Sequence, residues 1–325
     1  MPGGQPPSSV NLRRDLTELL VEISFEDLAL TGEKILPSIN VRETSAYYPV
    51  LPREAMGKVP VTERAPDGTY NRGQWEWSEE TYTTREYGFE EPSDNVNALI
   101  WEDYIDQEET SATLAYQGLL LAREARIAAA VYNTTTFTGA GGTLAITHEW
   151  DDATNAVPWS DVDTGAGKIR AKSFIRKNQL SLVLNAKQFK VVMKTDEITG
   201  TVQYVEPIER MPEARKKEFL AEYLGIKEVV VVDSLYDSAG LSQDSTVTDF
   251  WSDEYMMLAY LTPGGSGWRT PGLGRQPVYA KYSSDFIIEE YDEPKINGKV
   301  FRAREYRGTV LDANFGFLFS NAITI

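Results

Sequence analysis

QWEWSEETYTTREYGFEE, residues 74–91, alternates like a β-strand. Trp75, Trp77, Tyr82, Thr84 and Glu86 mark the alternation, and Thr81, Thr83, Arg85, Tyr87 and Phe89 fall on the other face. The wider stretch 53–93 holds few aliphatic residues with which to build a core of its own. An isolated hairpin this long and this polar is marginal in water. It therefore needs a partner surface, in its own chain or in a neighbouring copy.

On the N-terminal side, Pro66-Asp67-Gly68 signals a turn. From Ile35 to Arg53, Pro37, Pro49 and Pro52 sit among Val41, Tyr47 and Tyr48. Proline removes a donor and restricts its predecessor, so this segment reads as extended backbone without a continuous ladder. Leu12, Leu16, Leu19, Leu20 and Ile23 are spaced as one face of a short amphipathic helix, and residues 1–10 read as a flexible lead-in.

On the C-terminal side, Asp94 to Thr135 reads mostly as helix. Leu114, Gly118, Leu121, Ala125, Ala128 and Tyr132 form one narrow apolar seam, and Ala128-Ala129-Ala130 favours helix strongly. The glycine and alanines predict another backbone close against one unbroken helix over 114–132. Its Leu114/Leu121/Ala128 seam is expected to pack on strands returning at 286–325.

Residues 160–262 read as a compact α/β unit. Leu180–Leu184 is a buried strand, with Asn185 placed to cap a helix carrying Phe189, Val192 and Met193. Pro212 opens a further helix and Gly225 closes it. Glu228–Val232 and Met256–Leu261 supply interior strands, and Pro263–Gly267 is a loop. Beyond it, Phe286–Tyr291 and Lys299–Tyr306 flank Asn297-Gly298, a strong hairpin signal. A two-residue turn there sets Glu293 opposite Arg302 and Tyr291 opposite Arg304, which suggests a charged, open sheet. Phe315–Ile325 is a last apolar strand.

The 325 residues allow two or three domains and carry 32 Lys+Arg against 49 Asp+Glu, a net charge of −17. Such an acidic balance argues against a surface that grips a phosphate backbone. The basic block at 160–230 coincides with helices and reads as solvated helix faces. There is no cysteine and only one histidine, His148. That removes disulfides, thiolate nucleophiles, Cys-ligated metals and most imidazole chemistry. No apolar run approaches a membrane span, and the N-terminus lacks a signal-peptide stretch, so the chain is expected in the cytoplasm that made it.

Catalytic templates fail one by one. Gly165-Ala166-Gly167-Lys168 resembles the end of a phosphate loop, but Ile169 stands where Ser or Thr must ligate magnesium. Gly139–Gly142 reads as a flexible hairpin tip. His148 has no nucleophile pattern beside it. The pairs Asp151/Asp152, Asp161/Asp163 and Glu289/Glu290 are expected by chance among 49 acids. They leave one alternative, a cytoplasmic hydrolase using an acidic pair; a monomeric adhesin or decoration domain is a third reading.

In order, the elements are an extended arm, a long polar hairpin, an alanine-rich helix, an α/β unit and a charged closing hairpin. This layout resembles the major capsid protein of tailed bacteriophages, the Hong Kong 97 capsid fold, from about Leu28 onward. The stretches carrying the likeness are ILPSINVRETSAYYPV (35–50), TYTTREYGFEE (81–91), AREARIAAAVYN (122–133), the segment beginning LSLVLNAKQF at Leu180, and LGIKEVVVVDSLYD (224–237). FIIEEYDEP and RAREYRGTVLDANFGFLFSNAI close it.

The resemblance implies an α+β fold divided into an N-terminal arm (1–52), an extended hairpin or E-loop (53–93), a P-domain with a spine helix (94–159 and 276–325) and an A-domain (160–275). It further implies a structural shell subunit forming hexamers and pentamers around double-stranded DNA in a virion, with no enzymatic activity and no cofactor. A separate scaffolding protein is expected because the chain begins close to its arm, and the resemblance adds a portal and a decoration protein as further partners. Trp75, Trp77, Tyr82, Tyr87, Lys58, Glu293, Arg302 and Arg304 are the expected contacts between subunits. Some members join an E-loop lysine to a neighbour's asparagine; Lys58 is the lysine available here, with Asn314 and Asn321 as late asparagines, although isolated Lys and Asn are ordinarily just solvated. The arm and hairpin should project from the body, giving a flat plate with a radius of gyration above the ~20 Å of a compact chain.

Overall fold

A computed structural model describes residues 11–12, 30–50, 57, 59, 62–64, 66, 68–72, 78–101, 106–202, 210–240, 243–280 and 285–324. The early elements are β1 (Asn11–Leu12), α1 (Gly32–Ile35), β2 (Ser38–Val41), β3 (Ser45–Val50), β4 (Ser78–Thr83), β5 (Arg85–Asp94), α2 (Asn95–Trp101), α3 (Gln107–Val131) and β6 (Thr143–Ala145). The middle supplies α4 (Pro158–Ser173), β7 (Ser181–Asn185), α5 (Ala186–Val192), α6 (Asp196–Val202), α7 (Glu213–Leu224), β8 (Glu228–Val232), β9 (Leu235–Asp237), β10 (Val247–Asp249) and β11 (Met256–Ala259). The chain closes with β12 (Gly274–Tyr279), β13 (Ile287–Glu293), β14 (Gly298–Arg307), β15 (Val310–Leu311) and β16 (Gly316–Ser320).

Apolar strands build a mixed sheet in the order β6-β16-β11-β7-β8. Successive side chains point to opposite faces, and both faces are buried. Leu182, Leu184, Met256, Leu258, Phe317 and Phe319 pack beneath Val162, Ala166 and Ile169 of α4 and against α5 and α7. Val183, Val230, Val232, Met257, Ala259 and Leu318 face the other way, onto Ile35, Leu36, Trp251 and the C-terminal half of α3. Continuous apolar runs are what a doubly covered sheet requires. Local signals also hold: the Asn185 side chain accepts from the Gln188 N–H at 2.8 Å, and Gly225 ends α7 in the left-handed region at φ +69°. Gly165 lies inside α4, and a Cβ there would meet the Phe319 ring at 2.7 Å, so GAGK packs a helix on the sheet and forms no phosphate loop.

The second sheet runs β1-β13-β14-β12-β15, with β5 along β14 and β2 parallel to β12. Ala112, Ala115, Tyr116, Leu119 and Leu120 of α3 pack on Phe286, Ile288, Phe301 and Ala303 of one face. Asp106 caps this helix, its side chain accepting from the N–H groups of Glu108 and Glu109, both at 3.1 Å.

The helix does form, but on a different face. The N-terminal part of the expected seam is turned away from the returning strands, with Leu114 46% exposed and Gly118 touching Phe89 of β5 instead. At its C-terminal end, Ala128 and Tyr132 are buried in one core with Leu318 of β16. Two charged residues occupy the buried face. Arg123 donates to Glu33 at 3.0 Å and to Glu305, which also receives Arg126 at 2.7 Å and Arg307 at 3.1 Å. Glu124 accepts from the Gly32 N–H at 3.0 Å, Ser234 at 3.1 Å and the Trp251 indole at 2.8 Å. Buried charge is tolerated when paired and hydrogen-bonded, so apolar spacing alone misplaces the face.

The closing hairpin is likewise out of the expected register. It turns over residues 294–297, setting Glu293 opposite Gly298, Glu289 opposite Arg302 and Ile287 opposite Arg304. Asn297 adopts φ +46°, while Gly298 already belongs to β14. A Cβ on Gly298 would stand 2.0 Å from the Ser93 carbonyl oxygen of β5. Close strand approach, and not a two-residue turn, explains this glycine.

Candidate functional site

The expected contact surface begins at the ribbon of β3 and β4, which pair with each other and with no other strand among the described residues. Ala46 stands opposite Tyr82 and Tyr48 opposite Glu80, so these four share a face. Tyr48 donates to Glu80 at 2.5 Å; burial first, and then that carboxylate, push the phenol's pKa well up. Across this face lies Trp268, stacked on Tyr48 at 4.4 Å between centroids and on Tyr82 at 5.3 Å. The opposite face carries Tyr47, 73% exposed, with Ser45 and Thr81 beside it.

From the ribbon the chain enters β5 and the open face of the second sheet. Arg304 donates to Glu86 at 2.9 Å and also to Glu289. Arg302 donates to Glu90 at 2.5 Å and lies 3.8 Å from Glu289, while Tyr291 donates to Glu90 at 3.2 Å. The bond from Arg304 holds the Glu86 carboxyl below its ordinary pKa. The surface is thus a ladder of acid–base pairs across three strands, charged and open as expected, although the partners differ.

Those placements revise the candidate contacts. Tyr82 is only 6% exposed and already covered by Trp268, leaving a neighbour little of its ring to bury. Tyr87 is half-buried with the Arg126 guanidinium 3.7 Å over its ring. Arg302 and Arg304 find acids within their own chain, and Glu293 faces Gly298 and not Arg302. Trp75, Trp77 and Lys58 lie outside the described residues, as do residues 1–10 and most of the proposed amphipathic helix at 11–28. Trp268, directly after the Pro263–Gly267 loop, is a contact residue that the sequence reading does not single out. The structure adds exposed apolar residues, Phe89 in the middle of β5 and chiefly Val96, Leu99 and Ile100 on α2.

The acidic pairs are engaged structurally. Asp161 accepts from the Trp150 indole at 3.1 Å and burial pushes its pKa up, Asp163 meets Lys177 at 2.9 Å, and Glu289 serves the arginine ladder. His148 is exposed. Among the described residues no group of three or more His, Asp or Glu is placed to hold a metal, and no helix is long and apolar enough to cross a membrane.

Solved structures share this fold over nearly the whole chain. A phage-related protein from Bordetella bronchiseptica RB50 superimposes with a TM-score of 0.71 at 16% identity, covering 97% of this chain and 99% of that one. The capsid of a native GTA particle gives 0.60 at 14% identity, with 91% of each chain covered. The capsid of the cyanophage P-SCSP1u gives 0.58 at 10% identity, covering 89% and 86%. No protein-family profile and no curated protein sequence matches the chain. The architecture is therefore the α+β capsid fold that the sequence layout resembles.

Proposed function

We propose that this chain is the major capsid protein of a tailed bacteriophage, a structural and non-enzymatic subunit forming hexamers and pentamers of an icosahedral head. The observation that carries this reading is end-to-end agreement with phage capsid structures, covering about nine-tenths of both chains in each case. The ribbon supports it: two strands stacked on Trp268 leave a tyrosine-bearing face open. In this reading the arm is 1–52, the E-loop 53–93, the P-domain 94–159 with 276–325, and the A-domain 160–275. The ribbon and the exposed apolar residues of α2 lap over neighbouring copies, while the charge of −17 makes the wall repel the DNA it encloses. A separate scaffolding protein and a portal would guide assembly in the host cytoplasm, and a decoration protein could be added outside.

Electron microscopy of the purified protein across a concentration series tests this directly. Capsomer rings or closed shells of uniform diameter are expected. A stable monomer at every concentration would overturn the reading and return the hydrolase and adhesin alternatives.

A further inference from the structure

One side of β13 pairs with β14 over the whole strand, from Ile287 to Glu293. Its other side meets β1 at two positions only, Asn11 opposite Glu290 and Leu12 opposite Glu289. Among the described residues no other strand lies along that side. An edge of this kind offers unpaired N–H and C=O groups to any extended chain that reaches it.

The sequence around β1 fits the full length of that edge. Continued in both directions, the same antiparallel register would set position 8 against Glu293 and position 14 against Ile287, the two ends of β13. The run SSVNLRR from Ser8 to Arg14 holds no proline or glycine, and Pro6-Pro7 stand directly before it. Proline cannot donate to a ladder, so pairing would stop where β13 itself gives way to the turn at Pro294. Downstream, the chain is anchored at α1, where the Gly32 N–H donates to Glu124 at 3.0 Å and Ile35 and Leu36 are fully buried. The stretch from Leu12 to Gly32 can span at most about 60–70 Å. That exceeds the roughly 50 Å breadth of a compact chain with a radius of gyration of ~20 Å.

We infer that the β13 edge is a strand-acceptor site for the segment centred on Asn11–Leu12, filled by the chain's own segment in a single subunit and by that of a neighbouring copy in an assembly. Added strands are held by main-chain hydrogen bonds, and exchanging identical segments between copies leaves the ladder unchanged. The exchange rests on the shell reading, whereas the acceptor site does not, and the test separates them.

Because the chain has no cysteine, introduced pairs report alone. Opposed residues on paired strands bring their Cβ atoms to ~4.5–5.5 Å, near disulfide range, while a residue two positions along lies ~7–8 Å away. Asn11→Cys and Glu290→Cys in one chain should therefore close within that chain in dilute subunits. Chains carrying Asn11→Cys and Glu290→Cys singly, mixed and taken through the microscopy concentration series, should give a disulfide-linked dimer, identified by mass spectrometry of the 11–290 peptide pair. Asp292→Cys in place of Glu290→Cys should lower the dimer yield about fivefold or more. A second arm needs no cysteine. A synthetic peptide of residues 6–16 with a diazirine at position 10, added in excess to the unmodified chain, should label 285–293. The same peptide with Asn11→Pro and Leu12→Pro should not. Circular dichroism confirms that each variant is folded. No intrachain closure, labelling away from β13, no labelling, or equal labelling by the proline peptide would each overturn the acceptor site. Assembled particles without the 11–290 dimer would overturn the exchange. Dimers without particles would support the inference and count against the capsid reading, and neither dimers nor particles would overturn both.

Discussion

The two large sheets are built on opposite terms. The five-stranded sheet is apolar on both faces and finds all its cover within the chain, from α4, α5 and α7 on one side and α3 on the other. The second sheet is covered on one face only; its open face is a ladder in which Arg302 and Arg304 meet Glu86, Glu90 and Glu289. The first sheet is fully served by its own chain. The second, with its ribbon, presents ordered polar and aromatic surface outward, as a subunit that tiles with others would.

This contrast predicts a graded response to substitution. The largest effects belong to buried positions. Phe317→Ala in the doubly covered sheet should cost about 3–5 kcal/mol in denaturant unfolding. Glu305→Ala should cost about as much for a different reason, since it removes the carboxylate that Arg123, Arg126 and Arg307, all buried or half-buried, share. Values below 1 kcal/mol at either site would erase the distinction between core and open face.

Trp268→Ala should come next, at about 1–3 kcal/mol, because two stacked rings lose their partner. Its signature is local. Amides of 45–50 and 78–83 should exchange faster, while those of β7, β8 and β11 stay unchanged. Uniform acceleration would mean that the indole belongs to the body and not to the ribbon's anchorage.

On the open face, Arg302→Ala should cost less than about 1 kcal/mol, because its partner Glu90 is solvent-exposed. The ladder also carries a pH signature. Glu86 has a depressed folded-state pKa, so its contribution is present above the unfolded carboxylate value near ~4.3 and is lost as pH falls through the folded value. The stability difference between wild type and Glu86→Gln should therefore shrink as pH drops below about 4. A difference that persists or grows there would contradict the pairing. The smallest effect is expected at Tyr132→Phe, within about 0.5 kcal/mol, since that buried hydroxyl has no hydrogen-bond partner among the described residues.

Legibility followed the range of the interactions. The Asn185 cap, the Gly225 stop and the valine strand at 228–232 obey local rules, and all three stand where their residues pointed. The order of elements was legible too, and with it the fold. The face of α3 was not, because Arg123 and Glu124 are buried by partners far away in the sequence, at Glu33, Glu305 and Trp251. The register of the closing hairpin escaped for a similar reason: Gly298 answers to Ser93 across the sheet and not to its own turn. Trp268 reaches Tyr48 and Tyr82 over more than 180 residues from a glycine-rich loop, and no short-range pattern marks that contact.

Hydrogen–deuterium exchange of isolated subunits compared with assembled particles tests the central contrast most directly. Assembly should add protection to the ribbon at 45–50 and 78–83 and to α2, and leave the five-stranded sheet as protected as before. Protection gained chiefly in β7, β8, β11 and β16, with none on the ribbon, would contradict it.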